Sequence, residues 1–383
     1  MSSPSWISDY ERRSRSTKWR SYPSGTICAW VADMDFAIAP EITMALEEAS
    51  SASDLGYPSQ QLFDDYRNEM AAFSLARHGL TLDPDELIVF GDVVQGLAVS
   101  LMAHRQTRTH LVYFLPAYPP FHHLRDQLHF DFTGIPLAPG EEGFSFDLGV
   151  LEHAFSSSPG GVLLLCNPHN PTGKVFTTEE LKAIGDLALA HDYVIVADEI
   201  HRDILAPNVR HQGIGSLSDA LARVTITAYS ASKTFNIAGL HAAALQVPNG
   251  QRDAIEALPF PFRAGASLPG LIGANTAFRH GAGWLDATLT TISSNVKLVL
   301  DGLSDSPLVA YPPEGTYLLW IDASALHSHF GDRSAQQFLL DEVGVATSPG
   351  EDFAEDASDF VRLNIASSAD TVTEIVDRLT RLM

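Results

Sequence analysis

The chain has 383 residues, with 47 acidic and 24 basic side chains, and its formal net charge is −23. Its 45% of apolar and 19% of charged residues are typical of a globular protein with a sizeable core, which argues against a disordered chain. The acidic excess is spread along the sequence, so nucleic acid and anionic membrane surfaces are not expected as partners. A single anionic cofactor held by local dipoles is compatible with this charge.

Two cysteines, Cys28 and Cys166, are too few for a disulfide framework or a cysteine-rich metal site. Cys166 ends an apolar run, which predicts a buried structural thiol. The first 23 residues carry charges but lack the apolar core of a signal peptide, and no stretch approaches the roughly 18 apolar residues of a membrane helix. These features predict a soluble, cytoplasmic protein without a metal site.

Six short apolar runs alternate with helix-like stretches through the middle of the chain. They are rich in β-branched residues, which is typical of strands buried on both faces of a mostly parallel sheet. The runs lie at 87–90, 111–115, 162–166, 193–197, 224–228 and 242–247. Between them, the stretch 178–191 begins with the hydroxyls of Thr177 and Thr178 followed by Glu179 and Glu180, which predicts a helix start. The alternation predicts an α/β fold with helices flanking the sheet.

The last hundred residues have a different pattern. A long helical pattern at 281–304 precedes strand-like segments at 317–321 and 360–365, with a helix between them at 334–342. This order predicts a smaller α+β domain. The sequence is therefore divided into an N-terminal segment, 1–44, that contributes to the small domain and the active site, a large domain, 45–280, and a C-terminal small domain, 281–383.

Polar, aromatic or glycine residues follow five of the apolar runs. Ligands of open α/β sheets bind beyond the carboxyl ends of the strands, so these segments predict one shared site. Lys233 follows the hydroxyls of Ser230 and Ser232, and a lysine there could bond a carbonyl cofactor while the hydroxyls hold its phosphate. Asp198 could pair with a protonated pyridine nitrogen. Each residue alone also has an ordinary explanation, since Lys233 could be solvated and Asp198 could cap a helix or form a structural salt bridge.

Three strings make the pattern specific: WVADMDF at 30–36, NPHNPTG at 167–173 and SKTFN at 232–236. With them, the chain resembles the fold-type I pyridoxal-phosphate enzymes of the class I/II aminotransferase group over nearly its whole length. Within that group it is most similar to the cystathionine β-lyase (MalY/PatB) branch of C–S lyases. His201 supports this branch, because many aminotransferases carry tyrosine at the matching position. The resemblance implies an aspartate aminotransferase-like fold and pyridoxal 5′-phosphate as the cofactor.

The resemblance also implies roles for individual residues. Lys233, Asp198 and Tyr118 would be catalytic: Lys233 bonds the cofactor and removes the α-proton, Asp198 keeps the ring nitrogen protonated, and Tyr118 stacks on the ring. The further implied cofactor contacts are Asn170, His201, Ser230, Ser232, Val93, Val94 and, from the neighbouring subunit of a homodimer, Tyr57. Arg362 would bind the carboxylate of an amino acid substrate in a bidentate fork, with Ala32 and Tyr57 also near the substrate.

The implied activity is β-elimination from an S-substituted L-cysteine, which yields a thiol, pyruvate and ammonia. The same residues also suit an aminotransferase or a decarboxylating oxidative deaminase that acts on an amino acid or a cysteine conjugate in a specialised biosynthetic pathway. A regulator-binding protein is the alternative outside enzymes. Two residues differ from the family pattern at the phosphate end: Asp92 stands in the phosphate turn, and His241 stands where many aminotransferases carry a phosphate-binding arginine.

Overall fold

The computed structural model of the chain describes residues 4–7, 15–140 and 143–382. Its α-helices are α1 Thr17–Arg20, α2 Pro40–Ser51, α3 Gln60–His78, α4 Val93–His104, α5 Pro119–Gln127, α6 Leu148–Ser157, α7 Thr178–Ala190, α8 Asp219–Val224, α9 Ala231–Thr234, α10 Asn249–Glu256, α11 Phe260–Arg263, α12 Leu268–His280, α13 Ala282–Leu303, α14 His327–Phe330, α15 Ala335–Val343 and α16 Ala369–Leu379. Its strands are β1 Ile27–Cys28, β2 Leu87–Phe90, β3 His110–Leu115, β4 Asp131–Pro136, β5 Ala138–Gly140, β6 Gly143–Ser145, β7 Val162–Cys166, β8 Val194–Asp198, β9 Thr225–Tyr229, β10 Ala243–Gln246, β11 Val309–Ala310, β12 Leu318–Asp322, β13 Val345–Ala346, β14 Ser348–Pro349 and β15 Phe360–Asn364.

The central sheet has seven strands in the order β2-β10-β9-β8-β7-β3-β4. The pairs from β9 to β4 are parallel, whereas β10 is antiparallel to both β2 and β9. All six predicted strands are present, and the predicted mostly parallel α/β sheet is confirmed. The edge strand β4 was not predicted, because its sequence contains a glycine and a proline and its side chains are mostly half-buried or exposed.

The central strands are buried on both faces, as their continuous apolar runs predict. Leu163 and Leu165 of β7 pack into one hydrophobic cluster, and the intervening Leu164 packs into another on the opposite face. The helix α7 covers one of these faces. Its start is the predicted one: the Thr177 hydroxyl accepts from the Glu180 amide and the Glu180 carboxylate accepts from the Thr177 amide, which forms a capping box.

The C-terminal part contains a four-stranded antiparallel sheet in the order β11-β12-β15-β14, packed with α13 and α16. The predicted long helix, the following strands and the helix near 334–342 are all present. The N-terminal segment also joins this part, since β1 pairs with β13. The boundaries 1–44, 45–280 and 281–383 stay a prediction, and residues 1–3 and 8–14 of the first segment lie outside the described residues.

Two asparagine side chains hydrogen-bond the backbone of residues 30–36 to the rest of the molecule. Asn236 Oδ1 accepts from the Met34 amide at 3.0 Å, and its Nδ2 donates to the Met34 and Phe36 carbonyls at 3.1 and 2.9 Å. Asn364 Nδ2 donates to the carbonyls of Val31 and Asp33 at 2.6 and 2.7 Å. The strings 30–36 and 232–236 are therefore joined in space through Asn236, and Asn364 of β15 binds the first of them from the C-terminal sheet.

Asn236→Ala is expected to lower the free energy of unfolding by about 2–4 kcal/mol, because it removes three hydrogen bonds to partly buried backbone groups. Urea denaturation measures this loss. Asn208→Ala is a matched control, since Asn208 is exposed and both asparagines have a left-handed backbone, with φ of 58° and 68°. An equal loss in both variants would show that the bonds to the string contribute nothing.

Candidate active site

A cavity of about 300 Å³ lies beyond the carboxyl ends of β7, β8 and β9, where the sequence places the site. The predicted site residues that line it come from six separate chain segments. They are Ala32, Val93, Val94, Tyr118, Asn170, Asp198, His201, Ser232 and Lys233. The cavity is also lined by Asp92, Cys166, Ile200, Ala238 and His241.

Lys233 lies in the short helix α9 directly after β9. Its Nζ donates a hydrogen bond of 2.7 Å to the carbonyl of Ala32, which also accepts a bond of 2.9 Å from the Tyr317 hydroxyl. Burial lowers the pKa of the Lys233 amine, and the nearby Arg362 guanidinium lowers it further, while the Asp33 and Asp198 carboxylates act in the opposite direction. A lysine in this setting is more readily deprotonated, as a nucleophile or general base must be.

Asp198 ends β8 and its side chain is almost fully buried, with 3% of the residue exposed. Its Oδ1 accepts from the Ile200 amide at 3.1 Å. Burial raises the pKa of this carboxyl to about 6, although the Ile200 hydrogen bond and Lys233 lower it. The described residues provide no salt bridge to it. A buried carboxylate of this kind is stabilised by a cationic ligand such as a protonated pyridine nitrogen.

Arg362 on β15 approaches the cavity from the small domain. Its Nη1 donates to Asn170 Oδ1 at 2.9 Å, and its Nη2 donates to the Trp30 carbonyl and the Ser348 hydroxyl, both at 3.0 Å. Its buried Nε has no hydrogen-bond partner among the described residues. Burial lowers the pKa of the guanidinium to about 10, so Arg362 is still cationic at neutral pH. Both amino groups therefore hold the arginine in place, while its Nε–H and one N–H of Nη1 remain as donors for a carboxylate.

Two neutral aromatic side chains, Tyr118 and His201, form part of the cavity wall. Tyr118 packs edge-on against Phe121, and His201 packs edge-on against Tyr317. Burial lowers the pKa of His201 to about 3, which leaves the imidazole uncharged, and its buried Nδ1 has no hydrogen-bond partner within the described chain. An aromatic side chain and two neutral polar groups, His201 and Asn170, suit a flat heteroaromatic ring with a polar edge.

The opposite end of the cavity is formed by the first turn of α4. Val93 and Val94 begin this helix, whose free amide groups make a favourable place for an anion. Asp92 caps the helix through a 2.8 Å bond from the Gln95 amide to its Oδ1. Its Oδ2 lies 3.8 Å from His241 Nδ1. The acidic residue that departs from the family pattern thus has a helix-capping role and a basic neighbour.

Three predicted site residues are not part of the cavity lining. Arg362 lies behind Asn170. The Ser230 hydroxyl donates within the fold, being 2.8 Å from the Ala242 carbonyl and 2.7 Å from the Ser232 hydroxyl. Tyr57 lies away from the cavity on the surface, with a relative exposure of 102%. The role of Tyr57 across a subunit interface stays a prediction.

Cys166, Ile200 and Ala238 also line the cavity, although no argument from the sequence assigned them to the site. Cys166 is buried, as predicted, and its thiol lies 3.3 Å from the Pro168 carbonyl. Cys166 is the last residue of β7, and Ile200 follows the end of β8 by two residues. Their positions at strand ends could have identified both from the sequence. His122, near the start of α5, is partly buried, with Nδ1 2.7 Å from the Tyr113 hydroxyl and Nε2 3.0 Å from the Phe353 carbonyl.

Glu199 carries a buried carboxyl group next to Asp198 but does not line the cavity. Its Oε2 has no hydrogen-bond partner in the described part of the chain, and His211 Nε2 is 3.8 Å from it. Burial raises the pKa of Glu199 to about 8, against a lowering effect of Arg202. Between pH 4.5 and 8 the folded chain therefore keeps a proton that the unfolded chain has lost.

It follows that stability decreases as the pH rises through this window, because the folded state binds the extra proton. Glu199→Gln is expected to remove this part of the pH dependence, so that the variant gains stability relative to the native chain between pH 5 and pH 8. Urea denaturation at both pH values measures the difference. Glu152→Gln, at an exposed position of α6, is the control and should follow the native chain.

The cavity fits pyridoxal 5′-phosphate on each of these points. The described residues offer an amine with a lowered pKa, a buried carboxylate without a cationic partner, neutral ring-facing groups and a helix N-terminus for the phosphate. Residues 4–7, 15–140 and 143–382 contain no group of three or more histidine, cysteine or acidic side chains placed to hold a metal ion. In the same ranges, no helix has the length and apolar character needed to cross a bilayer.

Comparisons with known proteins agree with this geometry. Residues 31–379 match the family described as aminotransferase class I and II. The chain is 32% identical to cystathionine β-lyase PatB of Bacillus subtilis, over 91% of this chain and 90% of PatB. It is 29% identical to cystathionine β-lyase of Corynebacterium glutamicum, over 96% and 97% of the two chains.

The solved structure of cystalysin from Treponema denticola, which contains a pyridoxal 5′-phosphate cofactor, superimposes with a TM-score of 0.89. Its sequence is 25% identical, and the match covers 99% of this chain and 98% of cystalysin. The fold is therefore that of the fold-type I pyridoxal-phosphate enzymes, as the sequence predicts. The chain belongs to the aminotransferase class I and II family and, within it, to the PatB-like branch of cystathionine β-lyases.

Proposed function

We propose that the protein is a pyridoxal-phosphate-dependent C–S β-lyase that cleaves an S-substituted L-cysteine to a thiol, pyruvate and ammonia. The observation that carries this proposal is the convergence of Lys233 and Asp198 on one cavity, with Arg362 bonded to the cavity residue Asn170. Transamination would use the same groups. Elimination is favoured because relatives matched over nine-tenths of the chain or more are named cystathionine β-lyases.

Pyridoxal phosphate, when bound, supplies an electron sink that stabilises negative charge on the α-carbon of an amino acid. Lys233 is the residue that removes the α-proton, since it is the cavity's amine and burial lowers its pKa. Asp198 holds the proton on the ring nitrogen through its buried carboxylate. In this proposal Val93, Val94 and Ser232 would hold the phosphate, and Asn170 and His201 would contact the ring. All five line the cavity.

Arg362 binds the α-carboxylate of the substrate in this proposal. The two bonds from its Nη2 fix the plane of the guanidinium, and the bond from Nη1 ties it to Asn170. A guanidinium of fixed orientation would hold the carboxylate in one position and so orient the α-hydrogen of the substrate for removal by Lys233. Loss of the α-proton then leads to cleavage of the Cβ–S bond, departure of the sulfur as a thiolate, and addition of water to give pyruvate and ammonia.

A homodimer with Tyr57 shared between subunits is part of the proposal. Tyr57 and its neighbour Leu55 are large and strongly exposed, which suits a surface covered by a second copy. In the dimer, the Tyr57 hydroxyl would reach the phosphate of the neighbouring site. Location in the cytoplasm and action on a small amino acid substrate are further parts of the proposal.

The test is an assay of purified protein with pyridoxal phosphate and a panel of S-substituted cysteines, without a keto acid acceptor. Equal amounts of thiol, pyruvate and ammonia are expected. Amine transfer that depends on an added keto acid, or release of carbon dioxide, would instead identify the aminotransferase or the deaminase. Failure to take up the cofactor would contradict both enzyme classes and leave the regulator-binding alternative.

A further inference from the structure

This inference rests on the proposed function, in which the cofactor phosphate binds at the end of the cavity formed by α4. An acidic side chain lies at the same place. A phosphate bound at the first turn of α4 lies next to Asp92, whose carboxylate repels it. The basic side chains that line the cavity in the described chain are Lys233, His201 and His241. Lys233 is needed for the chemistry, and burial keeps His201 uncharged. His241 is therefore the basic group left for the phosphate.

The backbone fixes His241 at this position. It ends the turn 238–240 with a left-handed φ of 59°, which is uncommon for a residue other than glycine. The Ser267 amide donates to the His241 carbonyl at 3.0 Å, and a Cβ at Gly270 would lie only 2.5 Å from that same carbonyl. The start of α12 is thus packed tightly against His241, and the strained conformation is held from that side.

The His241 imidazole makes no hydrogen bond to any other residue that the structure describes. The side chain is 58% exposed and lines the cavity. It has an acidic neighbour in Asp92, whose Oδ2 lies 3.8 Å from Nδ1. Asp92 Oδ1 is already occupied by the Gln95 amide, which holds the carboxylate in place. Nδ1 is therefore within ion-pair distance of a fixed carboxylate, and Nε2 has no hydrogen-bond partner among the described residues, which leaves it available to a ligand.

We propose that His241 binds the phosphate of the cofactor through an imidazole N–H and that Asp92 orients this imidazole. The pair replaces a single phosphate-binding cation by a histidine with an acidic neighbour. Asp92 then has two effects: it caps α4, and it holds His241 in the orientation that offsets its own repulsion of the phosphate. The proposal makes His241 a cofactor-binding residue of this chain.

The experiment compares the affinities of the cofactor-free protein for pyridoxal 5′-phosphate and for pyridoxal, which lacks the phosphate. Absorbance of the lysine-bound form gives both dissociation constants. His241→Ala is expected to weaken binding of pyridoxal phosphate about 10- to 100-fold, the size of a hydrogen bond to a charged group, and to leave pyridoxal binding unchanged. His241→Arg should keep most of the preference for the phosphorylated form.

The two variants share any cost of a Cβ on the left-handed backbone, so their difference reports the side chain alone. His153→Ala, at an exposed position of α6, is the control and should keep the native ratio. If His241→Ala keeps the native ratio of the two affinities, the proposal is wrong. A change in the ratio in a protein that makes no thiol would support His241 as a phosphate ligand and contradict the lyase. Absence of cofactor binding in the native protein would overturn both.

Discussion

Lys233→Ala is expected to lower kcat for thiol and pyruvate formation by at least about 10³-fold, because the substitution removes both the covalent attachment and the general base. Lys233 is the one lysine that lines the cavity in the described chain. The variant should still bind pyridoxal phosphate through the other contacts but should lack the absorbance of the lysine-bound form. Spectra and turnover with the same S-substituted cysteine measure both effects.

The control for this variant is Lys297→Ala. Lys297 is exposed on α13, where its ammonium pairs with Asp301 one turn later. Such a pair contributes little to stability, so this variant should keep full activity and the native spectrum. Residual turnover of Lys233→Ala above one-tenth of the native rate would contradict the assignment of Lys233 as the base.

The sequence predicts the central sheet well because its strands are buried on both faces, so that each is a continuous apolar run. The antiparallel direction of β10 is not visible in its composition, since a buried strand has the same pattern in either direction. The edge strand β4 was missed because a half-exposed strand with Gly134 and Pro136 lacks both the apolar run and the alternation. Strand directions and edges depend on pairing between distant segments.

The site was predictable to the extent that strand ends meet at one edge of a parallel sheet. Strand ends predict Asp198 and Lys233, whereas Asn170 and Arg362 come from the resemblance. Asp198, Asn170 and Lys233 line the cavity, and Arg362 is bonded to Asn170. The direction of a hydroxyl could not be predicted, because it depends on its partner in the fold. The Ser230 hydroxyl donates to the Ala242 carbonyl, twelve residues later in the chain. The proximity of Asp92 and His241 also depends on tertiary packing, because 148 intervening residues separate them in the chain.

Asp198→Asn is expected to have opposite effects on activity and on the stability of the cofactor-free protein. The carboxamide cannot hold a proton on the ring nitrogen, so kcat should fall about 10²- to 10³-fold, as for the loss of other preorganised electrostatic groups. In the cofactor-free chain, burial raises the pKa of Asp198 to about 6. Above that pH the native protein contains a buried carboxylate without a salt bridge in the described residues.

The direction of the pH dependence of stability follows from the number of protons bound by the folded and the unfolded chain. Between about pH 4 and pH 6 the folded cofactor-free chain holds a proton that the unfolded chain has released, so its stability decreases as the pH rises, by roughly 2–3 kcal/mol in total. Asp198→Asn avoids this loss and should be the more stable protein at pH 7.5, while the two should differ little at pH 4. Urea denaturation of the cofactor-free proteins at both pH values measures the difference.

Binding of pyridoxal phosphate should reverse the order of stability of the native protein and Asp198→Asn at pH 7.5. A protonated pyridine nitrogen compensates the buried carboxylate of the native protein but offers nothing equivalent to a carboxamide, so the cofactor should raise Tm more in the native chain than in Asp198→Asn. Asp186→Asn, at an exposed position of α7, controls for the loss of one negative charge. An equal rise of Tm in the native chain and Asp198→Asn would mean that Asp198 does not pair with the cofactor. A larger rise in the native chain, together with its lower stability at pH 7.5 without the cofactor, would show that the cofactor compensates a carboxylate that destabilises the empty site.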